Sequence, residues 1–162
     1  DSARFKYQLS TTLNCSPSDL NALVVGGHGD TTMIPLIKHA TWNSIPVTQF
    51  LDEAQQQTII NDTMVGGATL TKLLGTSAWY APGAAGAALV ESIVRDEKKL
   101  FTCCVSLDGE YGQSDICLGV PVVIGKNGWE KIVAMDLSAD EQAAFNKSAD
   151  AVRNMNDVLK TL

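Results

Sequence analysis

The residue best suited to chemistry is His28, one of two histidines in a chain of 162 residues. It stands in "VVGGHGD", between Gly27 and Gly29 and directly after a short apolar run. Glycine leaves the backbone free and the neighbouring ring uncrowded, so a ligand could reach this imidazole. Histidine is also the side chain that exchanges a proton near neutral pH. The pattern predicts either a general acid/base or an ordinary surface histidine in a turn.

Asp1 and Arg4 form a second candidate pair at the start of the chain. Their i, i+3 spacing places both side chains on one face of a predicted helix. One interpretation is an exposed ion pair that contributes little to stability. The alternative gives the groups separate tasks, because a carboxylate can orient an imidazole and favour its charged form, whereas a guanidinium can bind a carboxylate through two hydrogen bonds.

The sequence gives little support for metal sites, phosphate-binding loops or hydrolase motifs. The chain has four cysteines but no C-x-x-C, so no zinc cage or other metal site is expected. Neither a phosphate loop of the G-x-G-x-x-G or Walker type nor a G-x-S-x-G elbow occurs. We expect Cys103 and Cys104 to be buried free thiols, His39 to be structural, "GEYG" to be a hairpin turn, and Trp79 and Tyr80 to lie in the core.

Length, charge and hydropathy restrict the class of protein. A chain of 162 residues is long enough for one domain with its own core. A net charge of −6 without a basic cluster argues against a nucleic-acid or anionic membrane surface as partner. No apolar run is long enough to cross a bilayer. Free thiols fit a reducing compartment, so a cytoplasmic location is expected. The first residue is not Met, and the chain is expected to be part of a longer protein.

Helical and strand patterns alternate only in part along the chain. Apolar spacing predicts helices over 1–14 and 51–66, and a further helix from 66 to a break near 75–77. A long helix is predicted to follow and to reach Lys99, with its Gly/Ala-rich stretch 81–90 buried. A final helix is predicted to begin at a capping box of Ser138 and Glu141 and to end at about Thr161. Strands are predicted in "ALVVGG", in "TTMIPLIKHATW" with an interruption at Pro35, and in "LFTCCVSLDG", "ICLGVPVVIGKNG" and "WEKIVAMDL". Partial segregation of strands and helices favours an α+β fold.

Four motifs, in this order, resemble the lactate/malate dehydrogenase family: "DSARFK", "GGHGD", "GTSAWYAP" and "DGEYGQSDICLGVPVVIGKNGWEKI". The resemblance covers essentially the whole chain and corresponds to the C-terminal, substrate-binding α/β domain of the family. It implies an α+β domain over residues 1–162, in which an antiparallel or mixed sheet packs with long helices. The dinucleotide-binding Rossmann domain of the family, N-terminal to this one, is missing from the sequence.

The resemblance also implies roles for individual residues. His28 would be the general acid/base that takes the hydroxyl proton of a 2-hydroxy acid while hydride passes to the nicotinamide of NAD. Asp1 would hold its ring, and Arg4 would bind the substrate carboxylate. Ser77 and Ala78 would lie against the substrate, and Pro82, together with His28, would lie near the nicotinamide.

Within the family, the likeness is greatest to malate dehydrogenases of the bacterial, lactate-dehydrogenase-like type. The specificity loop lies in the missing domain, so L-lactate dehydrogenase remains an alternative. A non-catalytic oligomerisation or binding module is an alternative of another class. The resemblance implies a homodimer or homotetramer acting on malate and oxaloacetate, with most of the NAD site in the missing domain. The isolated chain is therefore expected to be inactive.

Overall fold

The computed structural model describes residues 1–160. Four helices are present in this range: α1 (Ser2–Leu13), α2 (Glu53–Leu74), α3 (Tyr80–Val94) and α4 (Ala139–Leu159). The strands are β1 (Leu20–Asn21), β2 (Val24–Gly26), β3 (Met33–Pro35), β4 (Thr41–Trp42), β5 (Ile45–Pro46), β6 (Lys99–Asp108), β7 (Ser114–Gly125) and β8 (Gly128–Ile132). This arrangement confirms the α+β class expected from the sequence.

The main sheet is built on the long hairpin of β6 and β7. Its order is β3-β2-β7-β6, with β8 also paired to β7, and each of these pairs is antiparallel. The short strands β1, β4 and β5 form a separate three-stranded sheet. A 3-10 turn over Glu110–Gly112 closes the hairpin, as expected for "GEYG". Strand β2 meets β7 through Gly26 and Gly119, and it ends beside the loop that carries His28.

Two apolar clusters form the core. The first gathers around the buried face of α1, with Phe5 and Leu9 fully buried as their i, i+4 spacing predicts. The second lies between one face of the sheet and α4, whose Phe145 is fully buried. Strand β2 joins the two, because Val24 belongs to the first cluster and Val25 to the second. The core therefore fixes α1 and β2 together, and these elements carry the candidate residues.

Two helices begin with capping boxes. Ser138 and Glu141 form the box predicted at the start of α4. Asp52 and Gln55 form an equivalent box at the start of α2. Each box satisfies amide groups of a first helical turn that have no partner within the helix. Both helices therefore begin at positions fixed by local side chains.

The Gly/Ala-rich helix was wrongly expected to be buried. Helix α3 is exposed along most of its length, and Ser92 is its buried residue. Trp79 and Tyr80, expected in the core, are 68% and 87% exposed. Composition alone misled the prediction, because an apolar helix is equally suited to a surface that another chain or domain covers.

Several element boundaries also differ from the prediction. Helix α2 runs unbroken through Gly66 and Gly67, and α3 ends at Val94 rather than Lys99. The run "TTMIPLIKHATW" divides into β3 and β4 around a 3-10 turn, with β3 ending at Pro35 on the sheet edge. Strand β8 ends at Ile132, before the end of "WEKIVAMDL". Helix α4 ends at Leu159, and Thr161 lies outside the described residues.

The cysteines are free, as expected, but they are not all buried. Cys103 is half-buried, while Cys104 and Cys117 are exposed. Side chains alternate across a strand, so the neighbours Cys103 and Cys104 lie on opposite faces of the sheet. In the part of the chain covered by the structure, none of the helices is long and apolar enough to span a membrane.

Candidate active site

A hydrogen bond joins the two sequence segments that carry His28 and Asp1. His28 Nδ1 lies 2.8 Å from Asp1 Oδ2. An ionised carboxylate can only accept hydrogen bonds, so Nδ1 carries a proton and donates a hydrogen bond to Asp1. The His28 side chain is 85% exposed, while that of Asp1 is 20% exposed. Among residues 1–160, no hydrogen bond involves the second ring nitrogen, Nε2.

The Asp1 carboxylate serves His28 rather than its own helix. Asp1 is the N-cap residue of α1, but its side chain makes no capping hydrogen bond. The positive end of the helix dipole still favours a negative charge at this position. The hydrogen bond from the His28 ring and the positive end of the α1 dipole therefore both favour the ionised form of the Asp1 carboxylate.

Ser148 of helix α4 holds the backbone of the loop that carries His28. Ser148, which is buried, accepts a hydrogen bond from the Gly27 amide at 2.8 Å and donates one to the Thr32 carbonyl at 2.7 Å. Gly26 has a φ of +88°, and a Cβ there would lie 2.8 Å from both Ser148 Oγ and the Thr32 carbonyl oxygen. The glycine therefore serves close backbone packing as well as access to the ring.

Arg4 lies beside the same carboxylate but is held mainly by helix α2. Its Nη2 is 3.9 Å from Asp1 Oδ1, whereas its Nη1 donates a 3.0 Å hydrogen bond to the Thr63 carbonyl. A distance of 3.9 Å is beyond hydrogen-bond range, so the close partner of Asp1 is His28. The guanidinium has five N–H donors, and Thr63 engages one of them, which leaves others for a ligand.

Two glycines of α2 make room for the Arg4 side chain. A Cβ on Gly66 would lie 2.7 Å from Arg4 Cδ, and one on Gly67 would lie 3.1 Å from Arg4 Nη2. Glycine within a helix costs about 1 kcal/mol relative to alanine. The pair therefore gives up helix stability at the place where Arg4 crosses α2.

An open cavity of about 360 Å³ lies next to the His28–Asp1 pair. Asp1 and His28 line it together with Cys104 and Cys117 of the hairpin. Its lining combines the hydrogen-bonded His28–Asp1 pair with apolar and thiol groups. Such a mixture of a few polar groups in an apolar recess is typical of small-molecule sites.

The remaining candidates lie on a different segment. Ser77 and Ala78 lie in the connection between α2 and α3, and Pro82 is in the first turn of α3. Ser77 and Pro82 are exposed and Ala78 is half-buried. Among residues 1–160, no hydrogen bond or ion pair links them to Asp1, Arg4 or His28. Polar contacts thus link three of the six candidates to one another, and none links the other three to them within residues 1–160.

His39 occupies a structural position remote from this pair, as expected. Its Nε2 lies 3.3 Å from Glu141 Oε2. Burial raises the pKa of Glu141, but hydrogen bonds from Ser138 and from His39 outweigh burial, and the net pKa is lowered. This contact ties the turn after β3 to the first turn of α4.

Sequence reasoning missed the residues that support the site. Thr63, Gly66, Gly67 and Ser148 were not singled out, although each fixes Arg4 or the His28 loop. The glycine pair could have been noticed, because two consecutive glycines inside a helical pattern are unfavourable without a packing reason. A serine in a helix carries no such signal.

Comparison with known proteins shows the family of the chain. The sequence pattern of the lactate/malate dehydrogenase, alpha/beta C-terminal domain matches residues 1–161. Malate dehydrogenase of Bacteroides thetaiotaomicron is 61% identical over 160 residues, covering 99% of this chain and 51% of that protein. The chain belongs to the lactate/malate dehydrogenase family. It spans about half the length of the curated relatives it matches.

Solved structures share the fold as well. The malate dehydrogenase of Cryptosporidium parvum superposes with a TM-score of 0.96 at 41% identity, covering 99% of this chain and 53% of that one. A lactate dehydrogenase of Eimeria maxima, solved with NADH and oxamate, gives a TM-score of 0.94 at 34% identity, covering 99% of this chain and 51% of that one. Malate and lactate enzymes are therefore both represented among the structural relatives.

Proposed function

We propose that this chain is the substrate-binding domain of an NAD-dependent malate dehydrogenase, which interconverts malate and oxaloacetate. The observation that carries the proposal is the 2.8 Å hydrogen bond between His28 Nδ1 and Asp1 Oδ2. It supports a general acid/base whose second nitrogen is free to exchange a proton with a substrate. The family membership of the chain supplies the reaction class.

In this proposal, His28 Nε2 takes the hydroxyl proton of malate as the C2 carbon is oxidised. The imidazolium that forms is stabilised by Asp1, which stays ionised and keeps the ring in the orientation with Nδ1 protonated. The reverse reaction returns the proton from Nε2 to the carbonyl oxygen of oxaloacetate. General acid/base catalysis of this kind contributes roughly 10²–10⁴-fold to a rate.

Arg4 binds a carboxylate of the substrate through the guanidinium N–H groups that Thr63 does not use. Its position beside Asp1 places the positive charge next to the proton-transfer pair, so the substrate is oriented with its hydroxyl toward His28. Ser77 and Ala78 lie against the substrate from the α2–α3 connection.

The cofactor of this reaction is NAD, whose nicotinamide supplies the hydride acceptor when bound. The chain fits only part of such a cofactor, because it has no glycine-rich phosphate loop after a strand. His28, with its exposed ring, and Pro82, on the exposed first turn of α3, would border the nicotinamide end. An N-terminal dinucleotide-binding domain of a longer protein would hold the rest, and would supply the loop that selects the substrate.

We propose malate rather than lactate as the substrate because the more similar relatives are malate dehydrogenases. The relative at 61% identity is a malate dehydrogenase, whereas the lactate dehydrogenase of Eimeria maxima is 34% identical.

We also propose a cytoplasmic enzyme that forms homodimers or homotetramers. Four free thiols fit a reducing compartment. Exposed apolar side chains on and between α2 and α3, including Leu73, Trp79 and Val94, suit contacts with another domain or subunit.

The test is an assay of NADH oxidation by the protein expressed from its native start, with oxaloacetate and with pyruvate. We expect turnover of oxaloacetate, and a loss of about 10²–10⁴-fold in His28→Asn. The matched control is His39→Asn, which should retain activity because His39 lies at Glu141. Turnover of pyruvate instead would keep the mechanism and change the substrate.

An absence of turnover with either substrate in the folded full-length protein would favour the binding-module alternative. The 162-residue chain alone is expected to show no turnover, because half of the site is outside it. Robust NADH oxidation by this chain would contradict the domain assignment.

A further inference from the structure

Two thiols lie side by side on the open face of the β6–β7 hairpin. The register pairs Cys104 with Gly119 and Ser106 with Cys117. Cys104 and Cys117 are therefore diagonal neighbours on one face, since residues two apart on a strand point the same way. Both are exposed, whereas Cys103 faces the sheet core.

Little side-chain bulk flanks these thiols on the same face. Ser106 lies opposite Cys117, and Gly119, opposite Cys104, has no side chain. A Cβ on Gly119 would lie 2.8 Å from the Gly26 carbonyl oxygen. Strand β2 therefore approaches β7 closely at Gly26, two residues before His28. Both cysteines thus line the cavity of about 360 Å³ that also contains His28 and Asp1.

The spacing suits a bridged pair better than a disulfide. Diagonal neighbours in an antiparallel pair stand roughly 7–8 Å apart. A disulfide needs Cα atoms within about 7 Å and an S–S bond of about 2.05 Å. A central atom with two bonds to sulfur of about 2.3 Å each spans a wider gap, as in metal–thiolate sites.

We propose that Cys104 and Cys117 form a two-thiol binding site for a soft, thiophilic metal or metalloid centre, in the wall of the His28 cavity. Among residues 1–160, no group of three or more His, Cys, Asp and Glu side chains is arranged to hold a metal ion. A centre that needs only two protein ligands is therefore the kind that fits. This proposal does not rest on the proposed dehydrogenase reaction.

The simplest occupant is a monosubstituted trivalent arsenical. Phenylarsine oxide reacts with two thiols so that two As–S bonds form, the arsenic–oxygen bond breaks and the oxygen leaves as water with both thiol protons. Arsenic remains trivalent, and no oxidant or reductant is needed. Burial raises the pKa of the Cys104 thiol, and the neighbouring Cys117 raises it further, which favours the protonated Cys104 thiol that this route consumes.

The test is a titration of the 162-residue chain with phenylarsine oxide, followed by intact mass measurement after washing with excess monothiol. We expect one retained adduct per chain, released by dithiothreitol, because a chelate resists a monothiol but not a competing dithiol. Cys104→Ser and Cys117→Ser should each lose the retained adduct. Cys103→Ser is the matched control and should keep it, since Cys103 points to the other face.

A second measurement links the site to the cavity. The chain has two histidines, so the imidazole resonances of His28 and His39 can be followed together by NMR. Loading should shift the His28 signals and leave those of His39 unchanged. Alanine variants at both cysteines would replace the serine variants if either failed to fold. No retained adduct, retention in the Cys104 or Cys117 variants, loss in Cys103→Ser or an unchanged His28 would each overturn the proposal.

Discussion

The loop around His28 and the connection between α2 and α3 make a sharp contrast. The first is held by hydrogen bonds to Asp1 at its ring and to Ser148 beneath its backbone. The second carries Ser77 and Pro82 with exposed side chains, next to Trp79 and Tyr80, which are also exposed. Both segments were expected to form one site from the sequence.

The difference indicates which parts of the proposed site the chain builds alone. Contacts within the chain hold His28 and Asp1 in their hydrogen-bonded arrangement. The α2–α3 connection, by contrast, presents large apolar side chains that a protein normally covers. In the proposed function, the contacts of this connection therefore depend on another domain or subunit, whereas the hydrogen bond between His28 and Asp1 does not.

The largest expected effect comes from breaking the pair itself. Asp1→Asn in the full-length protein should lower the rate of oxaloacetate reduction by about 10²–10⁴-fold, because the amide no longer stabilises the imidazolium. Steady-state kinetics measure this change. Asp150→Asn, an exposed position on α4, serves as the control and should leave the rate unchanged. Wild-type rates in Asp1→Asn would remove the carboxylate from the mechanism.

A smaller effect is expected from loosening the loop. Ser148→Ala deprives the Gly27 amide and the Thr32 carbonyl of a buried partner, which should cost about 1–3 kcal/mol of unfolding free energy. Denaturant unfolding measures the loss, and hydrogen exchange at Gly27 should accelerate.

The matched control for Ser148→Ala is Ser92→Ala. Ser92 is also buried, and it donates to the Ile124 carbonyl at 2.8 Å, far along the hairpin. It should lower stability without a selective increase in exchange at Gly27. Equal exchange at Gly27 in both variants would mean that the loop opens only with the whole domain.

Glycine to alanine changes on two helices should have different effects on stability. Gly86 on α3 has nothing within 4 Å of a built Cβ, so Gly86→Ala should stabilise by up to about 1 kcal/mol. That gain raises Tm by roughly 2–4 °C for a chain of this size. Gly66→Ala should lower Tm or leave it unchanged, because the new Cβ displaces Arg4. Equal stabilisation by both changes would show that the Arg4 side chain moves away from the new Cβ without a loss of stability.

The smallest effect concerns pH. The pKa of Glu141 is lowered in the folded chain, so its ionised form stabilises the fold above the unfolded value of about 4.3. That contribution is lost as pH falls through the folded pKa. Glu141→Gln should therefore flatten the decline of stability below about pH 4.3. Urea unfolding across this range measures the slope, and an identical acid decline in both proteins would contradict the assignment.

The sequence was sufficient where local rules decide the outcome. The face of α1 formed by Phe5 and Leu9 and the capping box of α4 follow from spacing alone. The exposure of α3 could not be predicted, because an Ala-rich helix has the same composition whether a core or another subunit covers it. The hydrogen bond from Gly27 to Ser148, which supports the His28 loop, joins residues 121 positions apart, and only the fold brings them together.

The proton position on His28 tests the central pair most directly. Nitrogen-15 NMR of the imidazole in this chain distinguishes the two neutral forms, with Asp1→Asn as the comparison and His39 as an internal reference. The 2.8 Å contact to Asp1 requires the proton on Nδ1 in the wild-type chain and a shift toward the Nε2 form in the variant. A wild-type ring protonated on Nε2, unchanged by Asp1→Asn, would contradict a preformed acid/base pair.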